Sequence, residues 1–312
     1  MGHVIVLGAK GRFGRAAVAA FEAAGWNVTA LARSWPAGAG PTRVLLDVTD
    51  VAALKQACAG QDVIVNAVHP PYHHWPTAVP RITAAVIAAA QSSGATVMIP
   101  GNIYNYGADL PPVLSETTPW VGNTGKGAIR IRMEQAYRDA GIRTIVLRSG
   151  DYFEGAKTGN WFEDHIAPKA AQGKLSYPGP RDLPHAWAYL PDMARALVGL
   201  AEQRERFDIF EEFGFEGYTL TGDELGALIG QIMDREMRFT RFPWWAVRTT
   251  ALWSPLMREV LEMRYLWNRA HSMDGRKLRA ALPGFVPTPV EVALRAATGA
   301  DLPHREGIPT PA

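Results

Sequence analysis

Residues 4–14 read Val-Ile-Val-Leu-Gly-Ala-Lys-Gly-Arg-Phe-Gly, an apolar run followed at once by a loop with a glycine at every third position. The run has the length of a buried strand, and residues 12–24 have helical character. Glycine is favoured where a backbone turns tightly or approaches a ligand closely. A helix N-terminus offers free N–H groups and a partial positive charge. The stretch therefore predicts a strand–loop–helix unit that binds the pyrophosphate of a dinucleotide, with a ligand-free tight turn as the alternative.

The rest of the first half continues to alternate strand and helix patterns. Further strands are predicted at 26–31, 44–46, 63–65, 96–99 and 144–147, and further helices at 50–60, 77–92 and 129–140. Short, continuous apolar strands suit a parallel sheet that is covered on both faces. The fold class expected is α/β, a doubly wound parallel sheet of the Rossmann type.

After about residue 150 this alternation is lost, although a helix is still predicted at 192–203. The second half favours a smaller, mostly helical C-terminal substrate lobe. We expect residues 1–155, with a returning segment at about 186–212, to form the dinucleotide-binding domain. Residues 156–185 and 213–312 would form the lobe.

Composition excludes several classes of partner. The 312 residues carry a formal charge of +2, which argues against a nucleic acid or an anionic membrane. The single cysteine, Cys58, allows no internal disulfide. This and the absence of a recognisable signal peptide lead us to expect a cytoplasmic location.

The end of the second predicted strand bears on the choice of cofactor. An NAD site usually has an acid there, bonded to the ribose 2′-hydroxyl. The segment is Ala30-Leu31-Ala32-Arg33-Ser34, without an acid. Arg33, assisted by Arg12, is suited to a 2′-phosphate, which favours NADP over NAD. The alternative is that Arg33 is an ordinary surface residue.

Motifs after the later strands complete a pattern. Asp47-Val48 follows the third strand and Asn66-Ala67-Val68 the fourth, and the segments 105–107, 148–153 and 189–196 follow in order. Together they resemble the extended or atypical short-chain dehydrogenase/reductase superfamily, whose members are epimerase/dehydratase-like NAD(P)-dependent proteins, over nearly the whole chain. The resemblance implies adenine contacts at 47–48 and nicotinamide-ribose contacts at 66–68. With the glycine loop, the expected cofactor-binding set is Gly8, Lys10, Gly11, Arg12, Phe13, Gly14, Arg33, Asp47, Val48, Asn66, Ala67 and Val68.

One departure from the superfamily concerns catalysis. Its usual pair is Tyr-x-x-x-Lys, with a Glu four residues beyond the Lys. Counting back from Glu134 places Arg130 at the lysine position and Lys126 at the tyrosine position. The usual Ser or Thr maps near Asn102. The acid/base apparatus is therefore absent or rebuilt from other residues.

Hydride transfer to a carbonyl requires a proton donor and groups that polarise the oxygen. Lys126 is a candidate donor if burial and Arg130 lower its pKa, although it could instead contact the cofactor ribose or solvent. Tyr104 is a second candidate and Tyr152 a third, with loop packing as the alternative for Tyr104. The amide of Asn102 can donate to a substrate oxygen.

The expected substrate residues come from several segments: His69, Tyr152, Trp161, His185 and Trp187. Ordinary lobe packing is the alternative for the lobe residues and for the histidine loop at 69–74. His69, His73 and His74 are close in sequence, but Pro70 and Pro71 interrupt any helix there and no cysteine joins them. We therefore expect no metal site.

The aromatic stretch 241–267 allows a membrane-surface helix. Glu259 and Glu262 dilute its charge, and Pro243 and Pro255 interrupt it, so we expect a core or lid of the lobe and no membrane partner. If this stretch lines the pocket, the substrate is apolar or aromatic.

These points favour an NADP(H)-dependent oxidoreductase acting on a small carbonyl, alcohol or activated alkene. One alternative is a non-catalytic NADP(H)-binding sensor or assembly protein, because the tyrosine is missing. Another is a sugar-nucleotide epimerase or dehydratase. The partner expected is a small-molecule substrate, and the resemblance also allows a homodimer. Fold alone does not choose between these functions.

Overall fold

The central sheet has seven parallel strands in the order β11-β7-β5-β4-β1-β2-β3. The computed structural model describes residues 2–35, 42–155 and 158–300. The strands are β1 His3–Leu7, β2 Asn27–Ala32, β3 Thr42–Leu45, β4 Val63–Asn66, β5 Thr96–Gly101, β6 Val113–Leu114, β7 Thr144–Arg148, β8 Asp151–Phe153, β9 Lys174–Tyr177, β10 His185–Tyr189, β11 Phe210–Gly214, β12 Tyr218–Leu220, β13 Arg238–Arg241 and β14 Ser272–Met273.

Helices cover both faces of this sheet. They are α1 Arg12–Ala23, α2 Val51–Cys58, α3 Trp75–Ser93, α4 Gly125–Asp139, α5 Leu190–Glu202, α6 Gly222–Met233, α7 Trp244–Thr250, α8 Pro255–Glu262, α9 Arg276–Ala281 and α10 Val290–Thr298. Along β1, Val4 and Val6 pack with α1 and α5, whereas Ile5 and Leu7 belong to the core under α2, α3 and α4. The α/β doubly wound architecture expected from the sequence is confirmed.

The predicted helices and strands of the first half are close to the observed ones, except at the start of α4. The prediction began at residue 129, but the helix begins at Gly125. The Thr124 hydroxyl accepts a hydrogen bond from the Gly127 N–H at 3.1 Å and caps the first turn. The apolar spacing misses this turn because it contains two glycines and a lysine.

The C-terminal half contributes the last strand of the main sheet and a smaller lobe. β11 pairs in parallel with β7. In the lobe, β12, β10 and β8 form one small sheet, and β9 pairs with β13. Residues 301–312 of the predicted lobe lie outside the described residues. No helix among those described is long and apolar enough to cross a membrane.

Candidate active site

The glycine loop connects β1 to α1 at the carboxyl edge of the sheet. Gly8 has φ +77°, which favours glycine, and an added Cβ there would lie 2.9 Å from the Ala67 carbonyl oxygen. A Cβ on Gly14 would lie 2.2 Å from the Gly8 carbonyl oxygen, so only glycine lets α1 start this close to the loop. Gly11 precedes α1 without a side-chain cap, and its first turn has no acidic residue. The first-turn N–H groups are thus open to an anion, and the loop fits a pyrophosphate.

The neighbouring end of β2 is basic. Arg33 is exposed, and within the described part of the chain it forms no hydrogen bond or ion pair. Lys10 donates from Nζ to the Ser34 hydroxyl at 2.9 Å. Asp47 is held by hydrogen bonds from Thr49, which lower its pKa, and the charge of Arg33 lowers it further. Val48 is buried beside it.

The end of β4 lies directly beside the glycine loop. Asn66 is buried, donates from Nδ2 to the Tyr137 hydroxyl at 3.1 Å and accepts the Val68 N–H. Ala67 is also buried. His69 follows at the start of the 69–74 loop. Desolvation by the surrounding protein lowers the pKa of its imidazole to about 4, and the charges of Arg130 and Arg12 lower it further.

Arg12 and Phe13, which complete the expected loop set, point in different directions. Phe13 is buried under the sheet. Arg12 Nε lies 3.8 Å from the Glu154 carboxylate, and 42% of its side chain is exposed. Arg12 therefore connects the glycine loop with the segment that follows β8.

Lys126 is buried and bound by two carboxylates of α8. Its Nζ donates to Glu259 and, at 2.6 Å, to Glu262, while its backbone N–H donates to Glu262 Oε1. The ammonium also lies 5.3 Å from the centre of the Tyr72 ring. We expected Arg130 to be the charge that acts on Lys126, but the groups that bind its ammonium are acids. Because the N–H groups of this ammonium already donate to two carboxylates, few of them are free to donate to a substrate.

Two tyrosines meet beside Lys126. The hydroxyl oxygens of Tyr72 and Tyr104 are 2.9 Å apart. Burial raises the pKa of both, and the pKa of Tyr104 lies well above its usual value. The Asn102 Oδ1 accepts the Tyr104 N–H at 3.1 Å, and Asn102 Nδ2 makes no hydrogen bond among the described residues. The pair is fully protonated at neutral pH and follows the carboxyl ends of β4 and β5.

Arg130 belongs to a buried charge network below this pair. It donates to the Pro100 carbonyl at 3.1 Å and to Glu134 at 3.2 Å. Arg148, fully buried, donates to Glu134 and Glu212, each at 2.7 Å. Burial opposes the ionisation of Glu134, but Arg148 and Arg130 outweigh it and hold its pKa below the usual value. The network fixes α4 on the sheet, which positions Lys126 and keeps Arg130 buried against Pro100 and Glu134.

The lobe side of the cleft presents a carboxylate, Asp151, in front of a buried histidine. His185 Nε2 lies 2.9 Å from Asp151 Oδ2. The imidazole of His185 stacks on Trp267 with 4.2 Å between ring centres, and His271 packs against its edge. Asp151 is close enough to Tyr72 and Tyr104 to raise the pKa of both.

The other expected substrate residues lie around this pair. Tyr152 donates to the Gly101 carbonyl at 3.3 Å, and burial raises its pKa. Trp187 is buried, with its ring 5.0 Å from that of His185. Trp161 is half-buried, 5.6 Å from Phe242 and 6.5 Å from Trp267. The indole N–H groups of Trp161 and Trp187 are buried without a hydrogen-bond partner among the described residues.

Sequence reasoning missed Tyr72, Asp151, Glu259 and Glu262 as parts of the site. Tyr72 lies in the same 69–74 loop as the three histidines, and its spacing to Tyr104 in the sequence does not indicate their contact. Asp151 stands inside the 148–153 segment, three residues beyond the end of β7. A search for polar residues just beyond the carboxyl ends of strands would have included both.

Metal-ligating side chains and two open cavities were the other candidate sites in the part of the chain that the structure describes. No group of three or more His, Cys, Asp or Glu side chains in the described ranges is arranged to hold a metal ion. One open cavity, of about 330 Å³, is lined by residues that include Gln203 and Pro283. Another, of about 460 Å³, is lined by residues that include Gly2 and Trp26. They lie near the amino ends of the strands, away from the glycine loop.

Solved structures with the same fold include sugar-nucleotide enzymes. A proposed epimerase from Burkholderia cenocepacia J2315 is 20% identical, with 96% of this chain and 97% of that chain covered and a TM-score of 0.76. UDP-glucose-4-epimerase from Stenotrophomonas maltophila, with bound NAD and formylated UDP-arabinopyranose, is 15% identical, with 96% and 98% covered and a TM-score of 0.76. MoeE5 in complex with UDP-glucose and NAD is 16% identical, with 96% and 98% covered and a TM-score of 0.74. At these identities, the likeness shows the fold alone.

No curated protein matches the chain. A family described as NAD(P)H-binding matches residues 8–170, just over half of the chain, and takes in the glycine loop, the end of β4 and the Tyr104–Lys126 region. The chain belongs to this NAD(P)H-binding family.

Proposed function

We propose that the protein is an NADP(H)-dependent oxidoreductase that reduces a small apolar or aromatic carbonyl or activated alkene. The observation that carries this proposal is the hydrogen-bonded Tyr72–Tyr104 pair at the carboxyl ends of β4 and β5, on the same sheet edge as the glycine loop. An NAD(P)H-binding fold with a protonated acid beside this edge has the two parts that a reductase needs.

The basic residues around the glycine loop support NADP. A 2′-phosphate needs donors with fixed positive charge, and Arg33 and Lys10 offer them at the end of β2. The backbone of Gly8, Gly11 and Gly14 would hold the pyrophosphate, and Asp47 and Val48 would flank the adenine. Asn66 and Ala67 would lie beside the nicotinamide ribose. Bound NADPH supplies the hydride.

Tyr104 is the proposed proton donor. In reduction, the substrate oxygen gains negative charge as the hydride arrives at its carbon, and Tyr104 Oη releases its proton to that oxygen. Tyr72 Oη, 2.9 Å away, then donates a hydrogen bond to the phenolate that remains. Asn102 Nδ2 can donate to the same substrate oxygen. Burial raises the pKa of Tyr104 and keeps it protonated at neutral pH, so the group begins a reduction in the form that can donate a proton.

The lobe side suggests what the substrate looks like. Trp161, Trp267 and Phe242 form an aromatic wall, and Asp151 brings one carboxylate to it. A wall of this kind favours an aromatic or apolar body. The Asp151 carboxylate can accept a hydrogen bond from a substrate hydroxyl or amine.

The test measures NADPH oxidation with a panel of aryl aldehydes and aryl ketones. Tyr104→Phe should lower kcat by about 10²–10⁴-fold, since it removes a general acid, and leave NADPH affinity unchanged. Tyr72→Phe should cause a smaller loss. Tyr218→Phe is the matched control, because Tyr218 donates to the Thr288 carbonyl in the lobe and should keep wild-type kcat.

Two results would count against the proposal. Wild-type kcat in Tyr104→Phe would remove Tyr104 as the proton donor. NADPH binding without turnover of any panel member, or of related alkenes, would favour the non-catalytic alternative of a sensor or assembly protein.

A further inference from the structure

The outer surface of α7 and α8 exposes large apolar side chains. Trp245 is 75% exposed, Leu252 73%, Trp253 68% and Leu256 42%. These four lie within twelve consecutive residues, 245–256, and α7 packs against α8. Most other exposed large apolar residues among those described are scattered singly, whereas here two tryptophans and two leucines are grouped. A group of this kind marks an interaction surface.

The segment that carries these residues is basic and contains no acid. Residues 241–258 contain Arg241, Arg248 and Arg258 and no Asp or Glu. All three arginines are exposed. The whole chain has a net charge of only +2, so the charge of this segment is locally concentrated.

The acids that follow this segment face the opposite way. Glu259 and Glu262 bind Lys126 in the interior, and only 29% and 28% of their side chains are exposed. In the sequence these glutamates dilute the basic charge of the stretch, but in the fold Lys126 neutralises them. Pro243 and Pro255 lie at the N-terminal ends of α7 and α8, so they separate two short helices without disrupting the surface.

We propose that the outer surface of α7–α8 docks on an anionic lipid bilayer. Trp and Leu enter the headgroup and acyl boundary, and arginines bind anionic headgroups while their stems lie along it. A symmetric pair of these surfaces would bring four arginines together, Arg248 and Arg258 from each copy, so charge favours a bilayer over a second copy of the chain. This proposal does not depend on the reaction, and it departs from the expectation of no membrane partner.

Flotation of the full chain with lipid vesicles tests it. Wild-type protein should co-float with vesicles of phosphatidylcholine and one-third phosphatidylglycerol, bind phosphatidylcholine alone weakly, and dissociate as salt is raised. Trp245→Ser/Trp253→Ser should lower partitioning at least about 10-fold, because it removes the inserted apolar area. Arg248→Glu/Arg258→Glu should lose the preference for anionic vesicles.

The matched control is Val286→Ser/Val292→Ser, which removes apolar side chains that are 73% and 55% exposed elsewhere on the lobe. It should bind vesicles like the wild type. The proposal would be overturned if the wild type did not bind anionic vesicles, or if the control lost as much vesicle binding as the tryptophan variant. It would also be overturned if vesicle binding were absent and light scattering showed a dimer that the tryptophan substitutions abolish. The last would assign the surface to a second copy.

Discussion

We predict that Lys126 stabilises the fold by holding α8 of the lobe against α4 of the sheet domain, and replacing it with methionine tests this. Methionine keeps most of the apolar stem but removes the ammonium that Glu259 and Glu262 share. The two carboxylates would then lie close together in a largely buried place without a counter-charge. We therefore expect α8 to loosen from the N-terminal end of α4.

The magnitude follows from burial. Removing one partner of a buried ion pair costs about 3–5 kcal/mol. The carboxylates keep 29% and 28% of their side-chain surface exposed, so water can recover part of that cost. The expected loss in free energy of unfolding is about 2–3 kcal/mol. Lys126→Met/Glu259→Gln/Glu262→Gln removes the repulsion and should return to within about 1 kcal/mol of the wild type.

Urea unfolding of the single and triple variants measures how strongly Lys126 and the two glutamates depend on each other for stability. Lys277→Met is the control, because its partner is the single carboxylate of Glu211 and 39% of its side chain is exposed; its loss should stay below about 1 kcal/mol. This stabilising role of Lys126 would be refuted if Lys126→Met lowered the free energy of unfolding no more than this control, or if the triple variant recovered none of the loss. A triple variant that regains stability but not turnover would restore Lys126 as a catalytic residue.

Three further predictions concern buried ionisable groups. Burial raises the pKa of all nine tyrosines. Below pH 10 tyrosine is protonated in both the folded and the unfolded chain, so the free energy of unfolding does not depend on these groups. Above pH 10 it should fall by up to about 1.4 kcal/mol per pH unit for each tyrosine that ionises only on unfolding. Phenolate absorbance that titrates near pH 10 in folded protein would contradict this. Burial lowers the pKa of His271 to about 4, so the free energy of unfolding should decrease as the pH falls from 6.5 towards 4. In urea unfolding, His271→Gln should lose less stability than the wild type over this pH range, and an equal loss would contradict the prediction. Arg148→Met leaves Glu212 without its arginine and Glu134 with Arg130 alone, and should cost about 3–5 kcal/mol in urea unfolding, whereas a loss below ~1 kcal/mol would show that the network is not held as described.

Local signals predicted the cofactor half of the molecule well. β1, the glycine loop and α1 form one continuous segment, and Gly94 ends α3 in the left-handed conformation, φ +75°, that its sequence position indicated. Such features depend on neighbouring residues, so a single sequence carries them.

Charges that meet across the fold were not predictable in the same way. Glu259 and Glu262 are 133 and 136 residues from Lys126, and no spacing indicates their contact. β11 was not recognised as a strand of its own because its sequence, Phe-Glu-Glu-Phe-Gly, does not resemble a buried strand. Glu212 is buried there because Arg148 pairs with it, which only the sheet order reveals.

Titration of NADPH and NADH by energy transfer from the ten tryptophans tests the central claim most directly. NADPH should bind at least ~10-fold more tightly than NADH, about 1.4 kcal/mol, and Arg33→Ala should remove most of that preference. Arg206→Ala, an exposed arginine that pairs with Gln203, should leave it intact. Equal affinity or a preference for NADH would contradict the role of Arg33, and binding of neither would contradict the account of the glycine loop as a working cofactor site.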